Sequence, residues 1–270
     1  NIKSVPVYTS LTYNGDSIAA RNLFNHYGNS LYMPYRVMTR RSNGQAQIAG
    51  TYTYDSIGNL ISRITPDGVT ETYEWGYDNR YPIKFTLGGD QVSTYGYKPM
   101  VGLTSMTNPR GFTLTYAYDT RNRLNLISSG RDILQRFGYH LHGENTNAQS
   151  LTPWEGNYVY ERTYLNNNET KYIDRVNHYD EIGRSILSID VGAGGNGGDI
   201  AVATQYDSMN RSHKVWSPVP VSGSGEFVTS ADIASSASSF YGDAYAFAET
   251  DYEASTRELV SAETRAGQAW

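Results

Sequence analysis

The sequence predicts an all-β fold: successive antiparallel β-hairpins forming an extended, twisted or spiralling sheet, with one or two short helices. Three observations carry this expectation. The 270 residues include 24 Tyr and 26 Gly against only 7 Phe and 4 Trp, which suits half-exposed sheet, where a ring packs on a pleated face and its hydroxyl reaches water. The dipeptide Tyr-Asp occurs five times, at Tyr54-Asp55, Tyr77-Asp78, Tyr118-Asp119, Tyr179-Asp180 and Tyr206-Asp207. Finally, alternating apolar and polar stretches flank these pairs, as strands buried on one face require.

Four of the five pairs extend into one pattern, Tyr-Asp-x-x-(Gly/Asn)-(Arg/Asn)-x. The copies are Tyr54-Asp55-Ser56-Ile57-Gly58-Asn59-Leu60, Tyr118-Asp119-Thr120-Arg121-Asn122-Arg123-Leu124, Tyr179-Asp180-Glu181-Ile182-Gly183-Arg184-Ser185 and Tyr206-Asp207-Ser208-Met209-Asn210-Arg211-Ser212. Each part has a physical reason. Tyr ends a strand, Asp bonds backbone N–H groups two or three residues on, and Gly58, Asn122, Gly183 or Asn210 accepts the left-handed conformation that closes a short turn. The repeat-turn residues are therefore Tyr54, Asp55 and Gly58; Tyr118, Asp119, Asn122 and Arg123; Tyr179, Asp180, Gly183 and Arg184; and Tyr206, Asp207, Asn210 and Arg211. The intervals are irregular, so the chain is no strict solenoid.

Taken in order, Asp16 caps an expected short helix near 17–26, with Gly28 past its end. Strand patterns follow over Gly50–Tyr54 and Leu60–Ile64, a turn at Pro66-Asp67-Gly68, and a strand over Val69–Tyr77. Asn108-Pro109-Arg110-Gly111 introduces the strand ending at Tyr118. The polar run from Gly143 to Gly156 is the expected boundary, giving an N-terminal hairpin region over 1–145 and a second β module over 156–270. In the second module, strands around 158–160, 185–190 and 200–206 surround the Gly192–Gly198 loop. The Ser217–Gly225 loop then leads to a second expected helix near 231–240, capped by Ser230.

The chemistry-bearing patterns are weak beside their structural readings. Gly192–Gly198 holds Gly-x-Gly-x-x-Gly, but a strand pattern follows it where a nucleotide fingerprint needs a helix. Gly194-Gly195-Asn196-Gly197-Gly198-Asp199 matches one copy of a calcium-binding nonapeptide, and calcium there sits between stacked copies, so one copy reads as a hairpin loop. His140 and His142 alternate on one side of a strand, with His178 and His213 elsewhere, and no zinc motif accompanies them. The Tyr-Asp carboxylates are occupied as turn caps, whereas a glycosidase needs two facing each other. The expectation is no catalytic residue, no cofactor and no metal. A net charge of -5 with 18% charged residues gives no reason to expect nucleic acid as partner. No apolar run approaches about 18 residues, so no membrane span is expected. There is no Cys, and the start at Asn1-Ile2-Lys3-Ser4 reads as a fragment or processed chain rather than a signal peptide.

On these motifs the chain resembles the YD-repeat, or rearrangement-hotspot (Rhs), family of large bacterial surface and toxin-related proteins. Tyr73-Glu74-Trp75-Gly76-Tyr77-Asp78-Asn79-Arg80-Tyr81-Pro82-Ile83 and Tyr97-Lys98-Pro99-Met100-Val101-Gly102-Leu103 look like segments preceding the better-formed repeats of one bacterial branch. Residues from about 158 to Trp270 look like the module that follows there. The resemblance implies a non-catalytic scaffold or shell segment of a larger secreted or cell-surface protein, whose partners are other segments of the same full-length chain. The alternative is a module binding carbohydrate (glycans) or a partner protein, suggested by the scattered Tyr rings, which can stack on sugar faces but at a fixed motif position read first as cross-hairpin packing. Some family members release a toxin by self-cleavage at Asp-Pro-x-Gly. Here the nearest string, Asn108-Pro109-Arg110-Gly111, carries Asn in place of that Asp.

Overall fold

In the computed structural model, residues 7–13, 16–27, 31–42, 44–142, 156–255 and 259–267 are described. Their backbone is nearly all antiparallel sheet, with twenty strands and one α-helix. The chain divides into two compact units, residues 1–117 and 118–270.

The first unit is a meander in which each strand pairs with the next. It runs through β1 (Tyr8–Tyr13), β2 (Asp16–Tyr27), β3 (Leu31–Arg41), β4 (Gln47–Tyr54), β5 (Leu60–Ile64), β6 (Thr70–Gly76), β7 (Tyr81–Leu87), β8 (Gln91–Lys98), β9 (Gly102–Thr107) and β10 (Thr113–Tyr118), whose last residue crosses the division. The expected helix near 17–26 is absent: that segment is β2, paired over its length with β3, from Ile18 opposite Arg41 to Tyr27 opposite Leu31, and with β1 on its other side. A lone helix of about ten residues is marginal in water, and the weak helical preference of Ile18-Ala19-Ala20-Arg21 loses to two hydrogen-bonded ladders.

The second unit continues with β11 (Leu124–Ser129), β12 (Asp132–His140), β13 (Asn157–Tyr164), β14 (Tyr172–Tyr179), β15 (Ser185–Val191) and β16 (Asp199–Tyr206), each again paired with the next. The chain does not divide at the expected 145–156. His140 and Tyr158, on either side of that run, pair with each other within the second unit, and residues 143–155 lie outside the described ones.

β16 is where the meander forks. Its Thr204–Tyr206 end pairs with β17 (Ser212–Trp216), and its Asp199–Ala201 end pairs with β18 (Val219–Val221). The helix α1 (Ser230–Tyr241) follows, then β19 (Phe247–Tyr252), paired with β17, and β20 (Val260–Thr264). The Thr229 side chain, one residue before the expected cap, accepts the Asp232 N–H, and Gly242 closes α1 at φ 66°.

All the fully buried hydrophobic side chains among the described residues belong to the second unit. Leu187 and Ile189 of β15, Ala201 and Ala203 of β16, Trp216, Val219, Ala246 and Phe247 pack with Ile233 and Ala237 of α1. The small alanines of β16 leave room for the helix to lie close to the sheet. Strands of the first unit are half-exposed along most of their length, as β7 and β9 illustrate.

Candidate functional site

The recurring turn is one device built repeatedly. Asp119 N–H donates to Arg123 O at 2.8 Å and Asn122 N–H to Asp119 O at 3.0 Å, with Asn122 at φ 61°. Asp119 Oδ1 accepts the N–H groups of Arg121 and Arg123, both at 2.9 Å, and Oδ2 accepts Arg123 Nε–H at 2.7 Å. One carboxylate therefore fixes the turn backbone and aims the arginine. The guanidinium then lies 4.5 Å from the centre of the Tyr139 ring, and the Tyr139 hydroxyl returns to donate to Leu124 O at 2.7 Å.

The same circuit closes twice more. Asp180 accepts Ile182 N–H at 3.1 Å, Arg184 N–H at 2.9 Å and Arg184 Nε–H at 2.6 Å. Arg184 lies 4.3 Å over Tyr206, whose hydroxyl donates to Ser185 O at 2.9 Å. Asp207 accepts Met209 N–H at 2.8 Å, Arg211 N–H at 2.9 Å and Arg211 Nε–H at 2.8 Å. Arg211 lies 4.5 Å over Tyr252, whose hydroxyl donates to Ser212 O at 2.9 Å. Tyr206 thus opens one turn and seats the arginine of the turn before it. Turn also reaches turn directly: Arg184 Nη1 donates to Asn210 Oδ1 at 2.8 Å, and Arg211 Nη1 to Glu253 O at 3.0 Å.

The first copy uses substitutes. Asp55 Oδ1 accepts Ile57 N–H at 3.0 Å and Asn59 N–H at 2.8 Å. Trp75 Nε1–H donates to Leu60 O at 2.8 Å, standing where Tyr139, Tyr206 and Tyr252 stand in the later copies. Asn108 and Thr65 begin the same five-residue turn in place of Asp: Asn108 N–H bonds Phe112 O at 3.0 Å and Thr65 N–H bonds Val69 O at 2.9 Å. Asn108 Oδ1 accepts Arg110 and Phe112 N–H, both at 3.0 Å. Asn108-Pro109-Arg110-Gly111 is therefore an ordinary copy of the turn.

Electrostatics follow the hydrogen bonds. Burial alone raises the Asp119 and Asp180 carboxyls, but the backbone N–H and side chain of Arg123 and of Arg184 outweigh it and hold both below the usual carboxylate range. The Arg211 N–H does the same for Asp207, and in Asp55 the N–H groups of Asn59 and Ile57 overcome burial.

Tyr77-Asp78 is a different structure. Tyr77, Asp78 and Asn79 all lie in the left-handed region, at φ 54°, 58° and 60°, so the pair forms the loop itself rather than a strand end. Tyr77, Tyr81 and Tyr97 gather into a cluster with centroids 4.9–5.9 Å apart, and the Tyr77 hydroxyl accepts Tyr97 N–H at 2.9 Å.

The remaining singled-out residues sit apart from one another. His140 stacks on Tyr158 at 4.9 Å, with Nδ1 2.9 Å from Gly156 O. His178 is fully buried beneath Phe227. His213 is 3.0 Å from Glu249 Oε1 and 3.1 Å from Thr250 O. No group of three metal-ligating side chains occurs among the described residues. In the glycine-rich loop a single 3-10 turn over Gly195–Gly197 leads into β16, and Asp199 is buried. Its Oδ1 accepts Gly192 N–H at 2.8 Å and its Oδ2 accepts Gly225 N–H at 2.7 Å. Asp199 thus ties two loops together.

Two open hollows flank the Asp180 turn. One of about 550 Å³ has Asn157, Tyr179, Ile182 and Arg184 in its lining. The other, about 350 Å³, is walled by Tyr139, Leu141, Tyr158 and Val159. Asn157, in the lining of both, is engaged within the fold: its Oδ1 accepts His142 N–H at 2.9 Å, and its Nδ2 donates to Asp180 O at 3.1 Å.

Sequence reasoning found the turn residues but missed the ring that each turn closes on. Tyr139, Tyr206, Tyr252 and Trp75 lie 16, 22, 41 and 16 residues after Arg123, Arg184, Arg211 and Asn59 respectively, so the ring falls outside the turn's own residues and at no fixed distance from them. The fold and its turns define an all-β chain of Tyr-Asp repeat hairpins. Residues 154–270 match a family described as a domain of unknown function, DUF6443. No curated protein matches the chain. Among solved structures, the chain is similar to a substituted pore form of the Photorhabdus luminescens Tc holotoxin, at 11% identity and TM-score 0.40 over 74% of this chain and 11% of that one. A TcdB2-TccC3 crystal structure is similar at 12% identity and TM-score 0.34, over 75% of this chain and 13% of that one. The same pair without its hypervariable C-terminal region aligns over 97% of this chain and 18% of that one, at 10% identity and TM-score 0.34. The chain therefore spans less than a fifth of the length of each of these structures.

Proposed function

We propose that the chain is a non-catalytic structural segment of a larger secreted or surface-exposed bacterial protein of the YD-repeat (Rhs) type, one stretch of a wall that displays or encloses another part of the same polypeptide. The observation that carries this reading is the interlock of the turns. The chemically active groups at the motif, carboxylate, guanidinium and phenol, are engaged with one another, so the motif's chemistry is consumed in holding one hairpin to the next. The DUF6443 match and the resemblance of the turn motif to YD repeats point the same way. Electron microscopy of the intact parent protein tests it. The expected result places this segment in a continuous wall around density from another segment; a segment projecting as a free module overturns the reading.

A second reading, a glycan- or protein-binding module, is favoured by the two hollows beside the Asp180 turn, where rings and hydrogen-bonding groups share a concave surface. A glycan array with the purified chain separates the two. Reproducible binding lost in Tyr179→Ala supports the module, and an empty array leaves the wall.

A further inference from the structure

The strap between β18 and α1 packs Phe227 and Val228 on the core and is hydrogen-bonded to buried side chains of the sheet at Gly225. Gly225 N–H donates to Asp199 Oδ2 at 2.7 Å, and the Gly225 carbonyl lies 3.2 Å from His178 Nε2, which as a neutral Nε2–H tautomer donates to it. Gly225 has φ +84°, and a Cβ there would lie 2.7 Å from Val176 Cγ2 and 3.1 Å from Val191 Cγ2. The backbone is thus pressed against β14 and β15 where no side chain fits. Five residues later the chain enters α1, whose Ile233 and Ala237 complete the core.

We propose that His178 and Asp199 form an acid-released latch: together they clamp Gly225 from both sides of its backbone, and acidification frees the strap and loosens α1 from the core. The surroundings of His178 disfavour a charged ring. From β13 the Tyr158 ring faces it at 5.9 Å, and His140 of β12 stacks on the same tyrosine. From the strap Phe227 faces it at 5.5 Å, while Glu226 beside it is exposed. From β15 its pairing partner is Leu187. Asp199 of β16, the buried carboxylate at the same glycine, already has both oxygens on backbone N–H groups.

Burial pushes His178 down to about 4, against the opposing pull of its bond to Gly225. A solvated His178 in the released strap has the ordinary value near ~6.5. Because the latched value is the lower one, the latch is at full strength well above ~6.5 and weakens as pH falls, by roughly 80-fold in its equilibrium between ~6.5 and ~4. This inference does not depend on the wall reading.

The chain has no cysteine, so Ala237→Cys places one thiol beneath α1 and Ser238→Cys an exposed control beside it. Labelling with dithiodipyridine, which reacts in acid, is expected to rise on the order of 80-fold at Ala237→Cys relative to the control between pH ~6.5 and ~4. His178→Gln keeps an amide donor towards Gly225 but does not titrate, and it is expected to abolish the rise. A pH-independent rate in the parent background, or an unchanged rise in His178→Gln, overturns the latch. Should His178→Gln fail to fold, the NMR titration of His178 in the otherwise unaltered chain decides. A midpoint near 4 coinciding with the labelling supports the latch, and an ordinary midpoint or no coincidence overturns it.

Discussion

The turn aspartate does two jobs with two oxygens, one on backbone N–H groups and one on an arginine, and neither job survives loss of the carboxylate. Asp180→Ala is expected to cost about 1.5–3 kcal/mol, the range for hydrogen bonds to a charged group, read as a lower thermal midpoint. The arginine and the ring that receives it form one unit, so Arg184→Ala and Tyr206→Leu, which removes the ring, should be non-additive. A double-mutant cycle is expected to return a coupling of at least ~0.5 kcal/mol, and strict additivity would show that Arg184 and Tyr206 act independently. The pH dependence separates two windows. Asp119, Asp180 and Asp207 are held below their ordinary range, so their contribution is complete above ~3.9 and is lost as pH falls through their folded values. His178, lowered to about 4, loses its contribution earlier, from ~6.5 downward. An acid titration of stability should therefore fall in two stages, with His178→Gln removing only the upper one.

Hairpins and helix were legible to different degrees. The Tyr-Asp turns were readable because every requirement lies within five residues: an acceptor side chain, two N–H groups and a left-handed position at Gly58, Asn122, Gly183 or Asn210. The helix α1 was readable for the same reason, with Ala- and Ser-rich content and Gly242 closing it. It stays in place through Ile233, fully buried in the core. Ile233→Ala is expected to cost about 2–5 kcal/mol, and Thr229→Ala, which removes the cap, about 1 kcal/mol. Circular dichroism with thermal unfolding measures both, and near-equal losses would contradict the burial of Ile233. At β2 the same local reasoning failed. An Ala-Ala-Arg run beside an Asp looks helical in isolation, but its backbone groups found partners in two neighbouring strands.

Across the whole molecule, burial is distributed unevenly. The core of β15, β16, Trp216 and α1 lies within the second unit, and the first unit has no fully buried hydrophobic side chain among its described residues. Native-state hydrogen exchange should therefore be slowest in β14–β16 and measurably faster throughout β4–β9, since amides exchange by local opening where few apolar contacts resist it. Equal protection in both units would contradict this distribution. The composition and the repeated turn by themselves determined an all-β chain of hairpins, because Tyr-Asp turns and alternating strands are short-range properties written within a few residues. Only the tertiary structure decided that 16–27 is a strand, that 140 and 158 pair across the expected boundary, that Tyr139, Tyr206 and Tyr252 receive the arginines, and that His178 and Asp199 meet at Gly225. Each of those depends on residues brought together from distant parts of the chain by strand pairing and burial, and local sequence carries no record of them.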